Sequence, residues 1–112
     1  MPRAKTTTEK VENYKTLKPL LEAMYREFQE LSKKKQDGQV GSTKVTIVNR
    51  LLKAVHSVLD GEENSAFLDL LNEDDLPQNS DVVLILSQTD AAMKAFEEKY
   101  YYWSGTAHVW SV

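Results

Sequence analysis

The sequence contains no cysteine among its 112 residues. A disulfide framework and a thiolate metal site are therefore both excluded, and stability must come from packing. Histidine is almost as scarce, since His56 and His108 are the only two. Neither has the spacing to a second ligand that metal sites show, so we expect no metal and interpret His56 as a residue at the boundary of the core.

Long hydrophobic runs are also missing. No stretch approaches the roughly 18 consecutive apolar residues of a membrane-spanning helix. Residues 1–10 are basic and polar and lack the apolar segment of a secretory leader. These absences predict a cytoplasmic protein with no membrane contact.

Charge of one sign is not in large excess, because 14 basic and 17 acidic residues give a net charge of -3. General attraction to nucleic acid or anionic lipid is therefore not expected. Hydrophobic residues at 41% and charged residues at 28% are ordinary values for a globular protein. We expect a single domain over residues 1–112, with a flexible segment at 1–7 and a tail at 104–112.

Three segments repeat apolar residues at steps of three and four, which places each set on one face of an α-helix. The first apolar stripe consists of Tyr14, Leu17, Leu21, Met24, Phe28 and Leu31. The second consists of Val45, Val48, Leu52, Val55 and Leu59, and the third of Val82, Leu86, Thr89, Met93, Phe96, Tyr100 and Trp103. The β-branched run Val45–Val48 leaves a strand open as an alternative, although its continuation favours a helix.

Capping and breaking residues set the expected boundaries. The first helix begins near Thr6–Thr8, bends at Pro19 and ends at Lys33–Lys35. The predicted starts and ends of the other elements are Ser42 or Thr43 to Asp60, a short lid helix at Phe67–Leu71, and Asn79 or Ser80 to Trp103. The fold class is all-α: a small antiparallel helical bundle of three main helices and one short helix, with an irregular C-terminal tail. Alternation in residues 106–112 keeps an edge strand open for that tail.

No set of residues forms a recognisable reaction centre. The acidic residues from Asp69 to Asp75 fail as a calcium loop, because the third and sixth positions are Leu71 and Asp74. Phosphate-binding loops, nucleophile elbows and catalytic cysteines are absent from the sequence. We therefore expect a protein that is not an enzyme and that uses no cofactor or small-molecule substrate.

The strongest candidate for function is the aromatic group Tyr101, Tyr102, Trp103 and Trp110. Tyrosine and tryptophan contribute much of the binding energy of protein interfaces. Tyr101 and Tyr102 lie off the third stripe and are expected to be exposed, whereas Trp103 continues it. The alternative is that the tail folds back and covers these tyrosines. The group favours a protein–protein interaction module, either self-associating as a homodimer or acting as a small regulatory or accessory subunit.

A basic group near the first loop supports a second hypothesis. Its members are Lys33, Lys34, Lys35, Lys44, Arg50 and Lys53. If these side chains converge, they can contact a nucleic-acid backbone with strong salt dependence. No aromatic residue lies among the lysines to stack on a base, so a nucleic-acid-associated accessory protein is the second choice.

Overall fold

The computed structural model describes residues 3–112. Three helices make up most of it: α1 at Thr8–Lys34, α2 at Ser42–Val58 and α3 at Asn79–Tyr100. A 3-10 helix at Glu63–Phe67 lies between α2 and α3, and two short strands follow, β1 at Tyr101–Trp103 and β2 at His108–Trp110. The predicted helical bundle is confirmed. Its tail differs from the prediction, because residues 101–110 form an antiparallel hairpin and not an irregular segment.

The helix α1 begins where the threonine cluster predicts. Thr7 is the N-cap, and its hydroxyl accepts a hydrogen bond from the Lys10 amide at 3.1 Å. The helix continues through Pro19, although a proline inside a helix costs about 3 kcal/mol. Tyr14 and Leu21, on either side of it, are both buried, and this burial offsets the cost.

The helix α2 settles the ambiguity of the β-branched run, since Val45–Val48 lies inside it. All five residues of the second apolar stripe are buried. The N-cap is Gly41 and not a hydroxyl residue, so the prediction of Ser42 or Thr43 as the cap is wrong by one or two positions. Gly61 follows the helix with a φ of +87°, the left-handed conformation that glycine adopts after a helix end.

The short predicted connections favoured a simple up-and-down bundle. The structure has a different arrangement. At one end of the molecule, α1 finishes and both other helices start. The Asn79 amide donates to the Gly38 carbonyl at 2.8 Å, and the Val40 amide donates to the Pro77 carbonyl at 2.8 Å. The start of α3 is thereby fixed to the loop between α1 and α2.

At the opposite end, the start of α1 meets the ends of both other helices. Lys10 Nζ donates to the Asp60 carbonyl at 2.7 Å, and the Tyr14 ring stacks on Phe96 with centroids 5.5 Å apart. The helix α1 is therefore antiparallel to α2 and to α3, which run parallel to each other. Segment 59–78, the connector, must return along the whole bundle to make this possible.

The prediction of a short lid helix at Phe67–Leu71 is wrong. The 3-10 helix ends at Phe67, where the prediction started, and Phe67 is 77% exposed. The reason lies at Leu71: the Asn49 side chain accepts from the Leu71 amide at 2.8 Å and donates to the Leu71 carbonyl at 2.9 Å. Both backbone groups of Leu71 are thus hydrogen-bonded to a side chain of α2 and cannot form helical hydrogen bonds. The leucine is buried by an extended segment of chain.

The core is a single cluster shared by the three helices. The third apolar stripe is fully buried from Val82 to Tyr100, as predicted. The largest side chains with almost no exposure are Leu21, Leu52, Leu59, Leu86, Met93 and Phe96. This cluster supports the hairpin at the end where α1 begins.

Candidate interaction site

The hairpin forms where α3 stops, one turn earlier than predicted. Tyr101 has extended angles, φ -104° and ψ 121°, so Trp103 does not continue the helical stripe. In a longer helix the Ser104 amide would donate to the Tyr100 carbonyl. Instead, the Ser104 amide donates to the Ala107 carbonyl at 2.9 Å, and the Tyr100 carbonyl accepts from the Ser111 amide at 2.7 Å. The prediction of a helix to Trp103 is therefore wrong.

Gly105 allows the reversal between the strands. Its φ is +101°, and it is the first of two residues between Ser104 and Ala107. Two-residue hairpin loops of the type II′ family place glycine at this position. Aromatic residues before the turn and a His-Val-Trp segment after it have the composition of strands. These two signals indicate a hairpin, but the third apolar stripe favours a helix over the same residues.

Strand register places four aromatic rings on one face of the hairpin. Tyr101 lies opposite Trp110, and Trp103 lies opposite His108. Because side chains alternate between faces, these four rings share a face. Their centroids are close: 4.9 Å for Tyr101–Trp110, 5.4 Å for Tyr101–His108 and 5.2 Å for Trp103–His108. We call this set the aromatic face; it consists of Tyr101, Trp103, His108 and Trp110.

Trp110 joins the aromatic face to the core. Its ring contacts Tyr14 at 5.2 Å and Phe96 at 6.1 Å, measured between centroids. Next to it, Ser111 is buried and holds the start of the chain, since its carbonyl accepts from the Thr6 amide at 2.9 Å and its hydroxyl donates to the Ala4 carbonyl at 2.6 Å. The hairpin is therefore attached to the bundle on both sides.

Exposure is distributed differently from the prediction. Trp103, expected to contact the core or the lid, is 58% exposed. Tyr101 and Tyr102, expected to be exposed, are half-buried, as is Trp110. Tyr102 lies on the other face of the hairpin, where the Arg3 guanidinium stacks 3.8 Å from its ring centroid. Of the four predicted contact residues, Trp103 alone presents most of its surface to solvent.

A shallow groove of about 500 Å³ borders the aromatic face and is lined by Lys94, Glu97, Glu98, Tyr101 and His108. Glu97 ties this groove to α1. It accepts hydrogen bonds from the Tyr14 hydroxyl at 2.6 Å and from Lys18 Nζ at 2.9 Å.

The Tyr14–Glu97–Lys18 contact moves each pKa away from neutrality. Burial, followed by the bond to Glu97, raises the pKa of Tyr14 to about 12. The hydrogen bond with Glu97 raises the pKa of Lys18, and the bonds from Tyr14 and Lys18 lower the pKa of Glu97. The three groups therefore keep one protonation state near pH 7, which suits a structural clamp and not proton transfer.

A second cluster of the same composition fastens the connector to the end of α3. The Tyr100 hydroxyl donates to Glu62 at 2.7 Å, and Lys99 Nζ donates to the same carboxylate at 3.2 Å. Burial raises the pKa of Tyr100, and the hydrogen bond with Tyr100 raises the pKa of Lys99. Both tyrosines thus act as hydrogen-bond donors that hold the base of the hairpin.

The basic residues of the nucleic-acid hypothesis are all exposed, but they do not all lie on one side of α2. Lys33 and Lys34 lie in the last turn of α1, where Lys33 pairs with Glu30 at 3.1 Å. Lys44 and Arg50 border apolar hollows between α1 and α2. Lys53 follows Lys44 by nine residues, which is two and a half helical turns. It therefore lies on the opposite side of α2 from Lys44. Lys35 caps the end of α1.

His56 is half-buried near the edge of the core, as predicted. Its Nε2 atom is buried and has no hydrogen-bond partner among the described residues. Burial lowers the pKa of this imidazole, and the nearby Asp69 carboxylate opposes the change. Within residues 3–112, no group of three or more His, Asp or Glu side chains is placed to hold a metal ion.

A second exposed surface escaped the sequence analysis. Leu20 is 55% exposed and Ile47 is 44% exposed, and both line the hollows between α1 and α2. The available signal was position, since both are apolar residues that lie just outside the stripes of their helices. This signal is not specific, because Leu51 and Val58 also lie beside the second stripe and are buried.

Comparison with protein-family models, with curated proteins and with solved structures finds no match to this chain. Within the described residues, no helix is both long enough and apolar enough to cross a membrane. The aromatic face and the hollows between α1 and α2 each combine exposed apolar side chains with a neighbouring groove.

Proposed function

We propose that the protein is a non-enzymatic interaction module of the cytoplasm, a small accessory or regulatory subunit that binds a partner protein through the aromatic face. The observation that supports this most is the state of Trp103. A large apolar ring stands 58% exposed at the end of a hairpin. An exposed tryptophan on a fixed support is the kind of residue that dominates binding energy in protein interfaces.

The support is rigid, which favours binding. Rings follow one another from the core to the surface, from Phe96 through Trp110, Tyr101 and His108 to Trp103. A side chain held in this way loses little conformational entropy when a partner covers it. The half-buried Tyr101 and Trp110 add area around the anchor, and Tyr102 stabilises the hairpin from behind.

The surroundings of the aromatic face suit a protein partner. The adjoining groove combines the apolar edge of Tyr101 with the charged groups Lys94 and Glu98. Lys94 also pairs with Asp90 at 3.1 Å. An apolar anchor beside polar groups that stay hydrated at the edge is the usual composition of a protein-binding surface.

Affinity capture from native extract, with nuclease treatment and quantitative mass spectrometry, tests this proposal. We compare the wild type with Trp103→Ala and with Phe67→Ala, a matched control that removes an aromatic ring 77% exposed on the connector. Loss of a hot-spot tryptophan costs about 2 kcal/mol or more, so at least a roughly 30-fold weaker interaction is expected for Trp103→Ala.

The proposal requires a stoichiometric protein that survives nuclease, is lost with Trp103→Ala and is retained with Phe67→Ala. Equal retention by both variants would refute the aromatic face as the binding site. Material retained only while nucleic acid is intact, and released by salt, would favour the basic residues instead.

A further inference from the structure

A shallow apolar groove, which we call the α1/α2 groove, runs between the first two helices. It consists of two adjoining hollows of about 400 Å³ and about 330 Å³ that share Leu20, Met24 and Ile47 as lining residues. Leu20 and Ile47 remain about half exposed there. A monomer that leaves two large aliphatic side chains together in water forgoes part of the free energy of their burial.

Charges of opposite sign border the α1/α2 groove. Glu27 stands on the α1 edge and Lys44 on the α2 edge of the first hollow, and both are exposed. Neither belongs to any ion pair formed within residues 3–112. The groove therefore has an apolar floor bordered by the Glu27 carboxylate and the Lys44 ammonium at the first hollow and by the Arg50 guanidinium at the second.

We propose that the α1/α2 groove binds the α1/α2 groove of a second copy of this chain, in a dimer with its two-fold axis along the groove. Such an axis places α2 of one copy over α1 of the other without changing the level along the helices. Lys44 of each copy then faces Glu27 of the other, and Ile47 faces Met24, with Leu20 about 6 Å further along the same helix. The surface is self-complementary in charge at the first hollow, where Glu27 meets Lys44, and in apolar contact along its floor.

The dimensions predict a weak dimer. The helix α2 has 17 residues and a length of about 25 Å, and two adjacent helices are about 20 Å wide, which gives an area on the order of 500 Å² per copy. Stable interfaces bury about 800 Å² per partner. We therefore expect a reversible dimer that dissociates in the micromolar range, and one that forms independently of the aromatic face.

Sedimentation velocity over a wide concentration range, combined with reciprocal charge reversal, tests the dimer. Glu27→Lys alone places lysine against lysine at both contacts, and Lys44→Glu alone places glutamate against glutamate. Each should weaken dimerisation at least roughly tenfold. A mixture of the two variants should restore it, because the heterodimer has opposite charges at both positions. Lys53→Glu, on the other side of α2, is the control and should dimerise like the wild type.

Leu20→Asp provides a second test with Leu84→Asp as its control, since Leu84 is 59% exposed and lines neither hollow. Circular dichroism confirms that each variant is folded. A wild type that stays monomeric up to millimolar concentration would overturn the inference and leave the proposed function standing. Two charge variants that fail to form a heterodimer on mixing would also overturn it. Trp103→Ala should dimerise normally, so the two proposals can fail separately.

Discussion

Tyr14 connects three parts of the molecule through one side chain. Its ring stacks on Phe96 of α3 and meets the edge of Trp110 in the hairpin, and its hydroxyl donates to Glu97. The sequence places Tyr14 on the first apolar stripe and so predicts its burial correctly. Its hydrogen-bond partner Glu97 lies 83 residues further along the chain. No local sequence pattern indicates such a contact.

His56 gives a prediction of pH dependence at the residue scale. Its pKa is lowered in the folded state by burial, whereas the unfolded value is about 6.5. The folded state therefore favours the neutral imidazole. The resulting stability is fully present above pH 6.5 and is lost as pH falls from there through the folded-state pKa.

Urea titrations at pH 7.5 and pH 5.5 measure this effect. The wild-type free energy of unfolding should decrease over this interval, and His56→Leu should decrease less. His56→Leu should also be slightly more stable at neutral pH, because it removes the unpartnered Nε2. His108→Leu, which removes the exposed histidine, is the control. An identical slope in wild type and His56→Leu would show that burial of this imidazole does not affect stability.

At the scale of elements, Asn49 fixes the connector to α2. Asn49→Ala would leave the amide and the carbonyl of Leu71 without their partners in a buried position. Each lost partner costs about 1 to 3 kcal/mol, so we expect destabilisation of about 2 to 6 kcal/mol by chemical denaturation. Asn13→Ala, on the exposed side of α1, should change stability by less than about 0.5 kcal/mol. A similar effect of both changes would contradict the clamp.

Gly105 gives the corresponding prediction for the hairpin. A side chain at a φ of +101° is strained, and we expect Gly105→Ala to destabilise the hairpin by about 1 to 2 kcal/mol. Gly105→Asn should have a smaller effect, since asparagine tolerates positive φ better than alanine does. Amide hydrogen exchange checks this: protection should fall in residues 101–110 and stay unchanged in α2. Unchanged protection of the hairpin would show that the turn does not depend on glycine.

These elements show what the sequence could and could not predict. Periodicity located the three helices and most of the core, because the burial of a helix face is a local pattern. It missed six buried hydrophobic residues outside the stripes: Val11, Val40, Leu51, Val58, Leu71 and Ala92. The connector was not predictable in the same way, since its path depends on Asn49 binding a backbone 22 residues away. Gly105 and its flanking aromatic residues indicate the hairpin. The spacing of the third stripe includes Trp103 as well, however, and therefore favoured a helix over these residues.

At the scale of the whole molecule, the two exposed surfaces lie in different places. The bundle is elongated, with extents of 48 × 24 × 21 Å. The aromatic face is at the end where α1 begins and α3 finishes, and the α1/α2 groove runs along its side. A dimer through the groove would therefore leave both aromatic faces free, so each dimer could bind two partner proteins.

Fluorine NMR can measure directly whether a partner covers Trp103, the proposed anchor of the protein-binding surface. The chain has two tryptophans, so 5-fluorotryptophan labelling gives two resonances, which Trp103→Phe assigns. A soluble gadolinium chelate should broaden the exposed Trp103 strongly and the half-buried Trp110 weakly. In nuclease-treated native extract, a bound partner should make Trp103 as protected as Trp110. A Trp103 resonance that stays as accessible in extract as in buffer would show that no partner covers this ring, and would contradict its role as a binding anchor.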